Sequence, residues 1–253
     1  MADETEVQID TRYTPSLHPR ALTGLDGYSD ATAPVIASAT EALEGACTFL
    51  TAVYDYRDAA FSDPTKTEPS ALLATDDFAA SKLPGVTKRF DSAIAQFDTT
   101  IASYERELVA PVKQKAGEVI STEVRAHLKS AHNRIDLVRK AIQDGDDEVA
   151  CACLGGPPML SGMTAEMHQM LLREFHMARS PVVAQRLKAL SSAKAYLEAH
   201  GGKVLAEAVR AVGGIQVPIP GPDGKTTGYR TEGPEVYRKK RDAASAVYQR
   251  VSA

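Results

Sequence analysis

The segment around Gly224 has residue types that bind phosphate in other proteins. Gly224, Lys225 and Thr226 resemble the end of a phosphate-binding loop, in which backbone amides wrap the phosphates and a lysine follows a glycine-rich turn. The loop also needs a glycine five residues before Gly224, and that position is Ile219. The segment is interrupted by prolines and follows no buried strand, so we interpret it as a turn.

The histidines nearest to one another do not form a metal site by their spacing. His127 and His132 are five residues apart, which rotates them by about 140° around a helix, so they cannot share one ion. The pairs Glu123 with His127 and His132 with Asp136 are four residues apart, as in ion pairs on helix surfaces. We expect no bound metal.

The cysteines are too few to cross-link a chain of this length. Cys151 and Cys153 lack the second Cys or His pair that a zinc site requires, and Cys47 is the third cysteine. We therefore expect two small, partly buried thiols at Cys151 and Cys153, in a reducing compartment.

One pair has the spacing of a serine acyl enzyme. Ser191 and Lys194 are three residues apart, but they lie in the middle of a predicted helix without companion motifs. The sequence also has no Gly-x-Ser-x-Gly turn and no Gly-x-Gly-x-x-Gly turn. We predict no catalytic residue and no organic cofactor.

Composition indicates a folded protein without a strong overall charge. Of 253 residues, 43% are hydrophobic and 25% are charged, and the net charge is -4, which excludes wholesale disorder and a global attraction to nucleic acid or anionic lipid. The start of the chain is acidic, and no run of apolar residues is long enough to span a membrane. We expect a cytosolic product that crosses no membrane.

Apolar residues recur with helical spacing through most of the chain and predict an all-α fold. The strongest stripe has residues spaced alternately by four and three and should be buried around Ile101: Phe90, Ile94, Phe97, Ile101, Tyr104 and Leu108. Pro84 should precede this helix, and Pro111 should kink or break it. A second long helix is predicted from Ile120 to Gln143. We predict long antiparallel helices in a bundle-like core over residues 31–212.

The two ends of the chain differ in charge and should lie outside that core. Residues 1–30 contain six acidic and two basic residues without apolar periodicity, which predicts an extended arm. Residues 213–253 should form a small hairpin and a C-terminal helix, with seven basic and three acidic residues from Lys225 onwards. The candidate interaction residues are Leu17, Leu22, Leu25, Tyr28, Tyr237, Arg238, Lys239, Lys240, Arg241 and Tyr248.

The basic run Arg238–Arg241 has three interpretations. It can be a solvated helix start, a contact for an acidic partner surface, or a contact for a nucleic-acid backbone. The apolar residues in both ends favour docking on another chain, because ordering them there would offset the entropy that they lose.

The stretch Cys153–Thr164 (CLGGPPMLSGMT) is similar to a segment of uncharacterised helical proteins encoded among the virion genes of tailed bacteriophages. Its prolines predict a rigid turn that drives Met159 and Leu160 into the helix packing and ends at a helix cap on Thr164. The resemblance implies a virion or assembly role, with assembly in the bacterial host cytoplasm, and it implies no catalytic residue.

These observations favour a structural protein of a phage particle, such as a head-to-tail connector or neck protein. Its expected partners are copies of itself and virion proteins such as portal or tail subunits, with no membrane and no small-molecule substrate. Two alternatives are a cytosolic helical enzyme whose site is assembled from distant helices, and a helical regulator that binds nucleic acid through the basic tail.

Overall fold

The computed structural model describes residues 10–115, 120–222 and 225–251, which are mostly α-helical and confirm the predicted all-α fold. In these ranges the helices are α1 (Ala37–Ser62), α2 (Glu68–Lys115), α3 (Ile120–Ser130), α4 (Arg134–Asp144), α5 (Asp147–Leu154), α6 (Ala165–Arg179), α7 (Pro181–Val212) and α8 (Pro234–Val251). Short 3-10 helices occur at Pro15–Leu17, Pro19–Gly24, Ala33–Ile36 and Pro158–Ser161. The strands β1 (Ile215–Pro220) and β2 (Thr226–Glu232) form the predicted hairpin.

The chain folds into two compact units. The described residues up to Thr23, Ser38–Ala93 and those from Tyr196 onwards form unit one. Unit two consists of Gly24–Ala37 and Ile94–Ala195. The units therefore cut across the predicted division of the chain at residues 30 and 212, and both α2 and α7 contribute to each unit.

The core of unit one is built on an alanine-rich face of α1. This face repeats every three or four residues and is buried at Ala39, Ala42, Leu43, Ala46, Phe49, Leu50 and Val53. Small residues let a neighbouring helix approach closely, and Gly45 is the extreme case, since a Cβ there would lie 2.7 Å from Nη1 of Arg89. Each buried Leu or Phe stabilises the fold by about 1.5–3 kcal/mol.

α2 continues through both prolines that were expected to interrupt it. The predicted boundary at Pro84 is therefore wrong, and Pro111 does not end the helix. A proline inside a helix removes one hydrogen bond and costs about 3 kcal/mol. Burial of apolar residues on both sides of Pro84, including Leu72, Ala79, Val86 and Phe90, offsets this cost.

The predicted apolar stripe of α2 is buried only in part. Phe90, Phe97 and Leu108 are buried as expected, whereas Ile101 and its neighbours Ile94 and Tyr104 remain partly exposed. Ile101 is therefore not the centre of a buried stripe, and Phe97, which lies between Ile94 and Ile101, is the most deeply buried residue of the six.

The second long helix predicted from Ile120 to Gln143 is two helices. α3 ends at Ser130, whose hydroxyl donates to the His127 carbonyl oxygen at 2.7 Å, and the Ala131 amide bonds the Leu128 carbonyl oxygen in a tighter turn. Arg134 at the start of α4 donates back to the Ala131 carbonyl oxygen at 3.2 Å. The break lets α3 pack on α5 and α4 pack on α6.

The turn within Cys153–Thr164 places its side chains differently from the prediction. Met159 and Leu160 are exposed, and Met163 enters the core of unit two instead. The Ser161 hydroxyl donates to the Cys153 carbonyl oxygen at 3.1 Å, and Gly162 has a φ of 68°, which turns the chain before Met163. The turn therefore holds its apolar tip in solvent.

The remaining parts of that stretch agree with the sequence. The Thr164 hydroxyl caps α6 by accepting a hydrogen bond from the Met167 amide at 3.2 Å. Cys151 and Cys153 are both fully buried thiols, and burial raises the pKa of Cys153 to about 11. Such a thiol stays protonated at neutral pH and behaves as a small apolar side chain.

Candidate docking surface

The C-terminal helix α8 is fixed at its beginning by ion pairs within unit one. Pro234 is its first residue, a position where a missing amide hydrogen costs nothing. One turn later, Arg238 donates from Nη2 and Nε to one carboxylate oxygen of Asp76 on α2, at 2.6 Å and 3.1 Å, and also bonds Asp77. The hydrogen bond to Asp76 contributes most to the raised pKa of Arg238.

Lys240 and Arg241 of the basic run are also paired within the chain. Lys240 lies 3.2 Å from the buried carboxylate of Glu232, which also accepts from Arg230 at 2.6 Å. Hydrogen bonds donated by Lys240 and, to a smaller extent, by Arg230 lower the pKa of Glu232. Arg241 lies 3.2 Å from its neighbour Asp242. Much of the positive charge predicted for this surface is therefore compensated, and its role is to hold α8 at the hairpin and α2.

A shallow pocket of about 520 Å³ marks the contact of α8 with α2. Its lining combines the first turns of α2 with the beginning of α8: Pro69, Ser70, Leu73, Ala74, Asp77, Tyr237, Lys240 and Arg241. Tyr237 is half-buried there, and the ammonium group of Lys240 lies 4.9 Å from its ring centre. Of the predicted interaction residues, Tyr237 and Arg238 thus hold α8 against the rest of unit one. Lys239, Lys240 and Arg241 are exposed.

The distal half of α8 is exposed on all sides. No side chain of α8 is buried. Ala244, Val247, Tyr248 and Val251 lie on one face of the helix by their spacing, and Val251 is 82% exposed. Helices of soluble proteins normally bury such an apolar face. We call these four residues the α8 face.

The predicted N-terminal interaction residues lie in different surroundings. Leu17 and Leu22 are buried in unit one, so the expectation that they need another chain is wrong. Leu25 and Tyr28 are half-buried in unit two. Residues 15–24 form two 3-10 helices, so in the described residues the arm is neither extended nor separate.

Residues 10–17, which we call the N-terminal strap, are held by hydrogen bonds from α1 and α7. The Tyr54 hydroxyl donates to the Arg12 carbonyl oxygen at 2.9 Å, and the Cys47 thiol donates to the Leu17 carbonyl oxygen at 3.3 Å. From α7, the Tyr196 hydroxyl donates to the Ser16 carbonyl oxygen at 2.5 Å. Sequence reasoning missed the strap because its partners are distant in the chain.

The charged groups of the strap are paired. Hydrogen bonds from the Arg12 side chain lower the pKa of Asp10 to about 2, and the Thr51 hydroxyl donates to Asp10 at 3.1 Å. Arg12 also bonds Asp55 at 2.9 Å. Burial raises the pKa of Tyr13 to about 12. These groups are engaged in anchoring the strap, and their arrangement is that of a structural network.

α7 carries a second exposed apolar surface that the sequence analysis did not identify. Ala199, Gly202, Leu205, Ala206 and Val209 lie on one side of α7 in unit one, and all are exposed. Leu205 is 54% exposed and Val209 is 66% exposed. The sequence contains a signal for this surface, because apolar residues occur on two sides of this part of α7. Val204 and Ala208 are on the buried side. We call the five exposed residues the α7 face.

Unit two has a groove of about 850 Å³ between α4 and α6. Its lining is Arg139, Ile142, Gln143, Glu166, Gln169, Met170, Arg173, Glu174, Met177, Ala178 and Arg179. Arg139 donates to both carboxylate oxygens of Glu174 at 2.8 Å, and Arg179 bonds Asp147 at 2.5 Å. These pairs brace the helices, and the exposed Met170 and Met177 give the groove an apolar character.

Across residues 10–115, 120–222 and 225–251, no group of three or more His, Cys, Asp or Glu residues is arranged to hold a metal ion. The same residues include no helix that is both long and apolar enough to cross a bilayer.

No protein-family model matches the chain, and no curated protein or solved structure is significantly similar to it. What the protein does has to follow from its own residues.

Proposed function

We propose that the protein is a structural assembly subunit that joins other protein chains through α8. The observation that carries this proposal is the α8 face, which lies on a helix that is anchored at its beginning by Arg238 and exposed from Arg241 to Val251. A helix held at one end and apolar on one side is suited to docking on a partner, because its conformational entropy is already reduced before binding.

The finer proposal is a virion component of a tailed phage, such as a head-to-tail connector or neck protein. It is supported by the resemblance of Cys153–Thr164 to proteins encoded among phage virion genes. The expected partners are copies of the chain and portal or tail subunits.

The charge arrangement of α8 favours protein docking over nucleic-acid binding. Phosphate binding needs basic groups that are available to the backbone. Arg238, Lys240 and Arg241 already have carboxylate partners at 2.6 Å, 3.2 Å and 3.2 Å. The helical enzyme and the nucleic-acid regulator remain the competing proposals.

The test is incorporation into particles. A tagged full-length chain and its Val247→Asp/Val251→Asp variant are expressed in a host that produces the particles encoded beside the gene. Purified particles should contain the full-length chain in a fixed ratio to the portal protein, and the variant should stay in the particle-free fraction. Circular dichroism of both proteins controls for folding.

A full-length chain that is absent from purified particles would overturn the virion assignment. Equal incorporation of the variant would overturn the role of the α8 face. A variant at the exposed hairpin residue Tyr229, Tyr229→Asp, serves as the matched control and should be incorporated normally.

A further inference from the structure

We propose that the turn of residues 157–161 docks on anionic membranes by inserting Met159 and Leu160 into one leaflet of the bilayer. We call residues 157–161 the tip. The tip belongs to unit two, so this surface is separate from the α8 face, which belongs to unit one. The inference therefore goes beyond the proposed function and does not rest on it.

The tip presents apolar side chains to solvent. Met159 is 74% exposed, Leu160 is 47% exposed, and Pro157 before them is exposed as well. Residues 157–160 include no polar side chain. Moving such side chains from water into hydrocarbon is favourable in proportion to their apolar area. Met159 and Leu160 are adjacent, so a single insertion would bury both.

The backbone of the tip needs few hydrogen bonds from its surroundings. Pro157 and Pro158 have no amide hydrogen. The Leu160 amide donates to the Pro157 carbonyl oxygen at 3.0 Å, and the Met163 amide donates to the Pro158 carbonyl oxygen at 3.0 Å. An unpaired amide is costly in hydrocarbon, which offers no acceptor. This arrangement favours a lipid partner, because a protein groove could supply acceptors of its own.

The tip is held rigidly on unit two. The Ser161 hydroxyl donates to the Cys153 carbonyl oxygen at 3.1 Å, and Met163 is buried in the core directly after the tip. A segment that is already ordered loses little conformational entropy when it binds. The tip can therefore insert without refolding.

Basic side chains flank the tip at both ends. Arg134 donates to the Gly162 carbonyl oxygen, and a Cβ built at Gly162 would lie 3.4 Å from the Cα of Lys129. At the other end, a Cβ built at Gly156 would lie 3.1 Å from the guanidinium carbon of Arg125. Anionic lipid headgroups attract lysine and arginine at a membrane surface.

Two of these cations keep their charge available to headgroups. In the part of the chain that the structure describes, neither Lys129 nor Arg134 forms an ion pair with a carboxylate. Lys129 is exposed, and Arg134 donates to two uncharged carbonyl oxygens. No acidic residue occurs between Glu148 and Glu166, so the tip itself adds no negative charge.

The attraction to anionic lipid is local. The net charge of the whole chain is -4, but at physiological salt exposed charges farther apart than about 8 Å are largely screened. A nucleic acid offers the same phosphate charge without hydrocarbon to receive Met159 and Leu160. A membrane surface provides both the negative charge and the apolar layer that the tip needs.

The first experiment measures how much of the full-length chain sediments with lipid vesicles. The chain should bind vesicles of phosphatidylserine mixed with phosphatidylcholine, and it should bind phosphatidylcholine vesicles at least about fivefold more weakly. Met159→Asp should weaken binding to the mixed vesicles roughly tenfold, because a carboxylate resists both hydrocarbon and anionic headgroups. Met177→Asp is the matched control, since Met177 is also an exposed methionine in unit two, and it should bind normally.

The charge contribution is tested at Lys129. Lys129→Glu should weaken binding to the mixed vesicles, and binding of the unmodified chain should fall as salt is raised. Lys140→Glu is the control, because Lys140 is exposed in the same unit but lies outside the surroundings of the tip. Circular dichroism of every variant controls for folding.

A tryptophan probe tests insertion directly. The chain has no tryptophan, so Met159→Trp introduces a single fluorophore at the tip. Its emission should shift to shorter wavelength with the mixed vesicles, and lipids brominated on their acyl chains should quench it. The Met177→Trp variant should show neither change.

Three results would overturn the proposal. They are an unmodified chain that does not bind the mixed vesicles, equal binding by Met159→Asp, and an unshifted Met159→Trp emission in a chain that does bind. If vesicle binding is absent but Met159→Asp prevents incorporation into particles, the tip docks on a protein and the lipid assignment is rejected. The proposed function is tested separately, because its readout is particle incorporation through the α8 face.

Discussion

The Tyr196 hydroxyl on α7 donates a hydrogen bond of 2.5 Å to the carbonyl oxygen of Ser16, a residue 180 positions earlier in the chain. The next residue, Leu17, is completely buried, and its carbonyl oxygen accepts from the Cys47 thiol on α1. The N-terminal strap is therefore an inner part of unit one, and its removal should affect folding rather than assembly alone.

Leu17→Ala should destabilise unit one by about 2–5 kcal/mol, because it removes buried methyl groups and leaves a cavity. Chemical denaturation followed by circular dichroism measures this loss. Thr23→Ala, at an exposed residue six positions after Leu17 and outside the strap, should change stability by less than about 0.5 kcal/mol. Equal stability of Leu17→Ala and the unmodified chain would mean that the strap is not part of the core.

Asp10 should make unit one sensitive to acid. Its pKa in the folded chain is about 2, below the ordinary value of 3.8, so its stabilising effect is complete above pH 3.8 and is lost as pH falls towards 2. After screening by solvent this effect amounts to about 1 kcal/mol. Asp10→Asn should lose that stability at neutral pH. Its free energy of unfolding should also fall less steeply than that of the unmodified chain as pH is lowered, a dependence that we call the acid limb.

Asp26→Asn provides the control for Asp10→Asn. The Asp26 side chain is 81% exposed beside Lys188 in unit two, so Asp26→Asn removes one carboxylate without changing the strap. An acid limb of equal slope in Asp10→Asn and the unmodified chain would contradict the assignment to Asp10.

Gly85→Ala should stabilise the protein by about 0.5–1 kcal/mol, because glycine inside a helix loses more backbone entropy on folding than alanine. Gly85 lies inside α2, and a Cβ there meets no atom within 4 Å. Gly27→Ala should do the opposite, since Gly27 has a φ of 84° and its Cβ would lie 2.8 Å from the Ala189 nitrogen. Thermal denaturation of both variants measures the contrast, and a destabilised Gly85→Ala would contradict a continuous α2.

The free energies of unfolding of the Met159→Lys and Met163→Lys variants should differ by several kcal/mol. Met159 is 74% exposed at the tip of the turn, so its replacement should change stability by less than about 0.5 kcal/mol. Met163 is buried with Cys153 and Leu171, and a lysine there would lose its hydration without a partner. Melting temperatures of the two variants test the orientation of the turn, and similar losses would reject it.

Local patterns predicted the helices and the hairpin. Apolar spacing identified α1 and α6, and the Pro220–Gly224 turn residues identified the hairpin, whereas α7 was predicted as two helices separated at Gly201 and Gly202 and is continuous. Local rules failed where tertiary packing overrode them. Pro84 was interpreted as a helix end because its cost is local, whereas the burial that offsets this cost comes from residues on both sides of it in α2.

The candidate site was predicted only in part. The apolar stripe of α8 is visible in the sequence, since Val247, Tyr248 and Val251 repeat at helical spacing. Periodicity cannot tell whether such a stripe is covered. The lack of apolar periodicity in residues 1–30 suggested that Leu17 and Leu22 need another chain, whereas both are buried within unit one. The α7 face was missed because apolar residues on two sides of a helix resemble a buried helix until the neighbours are known.

The strap also sets the order in which the protein can fold during synthesis. Ribosomes add residues at about 5–20 per second, and early segments emerge first. Most of unit two is one continuous segment, Ile94–Ala195, whereas unit one needs the strap, α1 and the part of α7 that begins at Tyr196. Unit one therefore stays open on the ribosome until the last quarter of the chain has emerged, and its buried residues Leu17 and Leu22 are exposed to chaperones during that time.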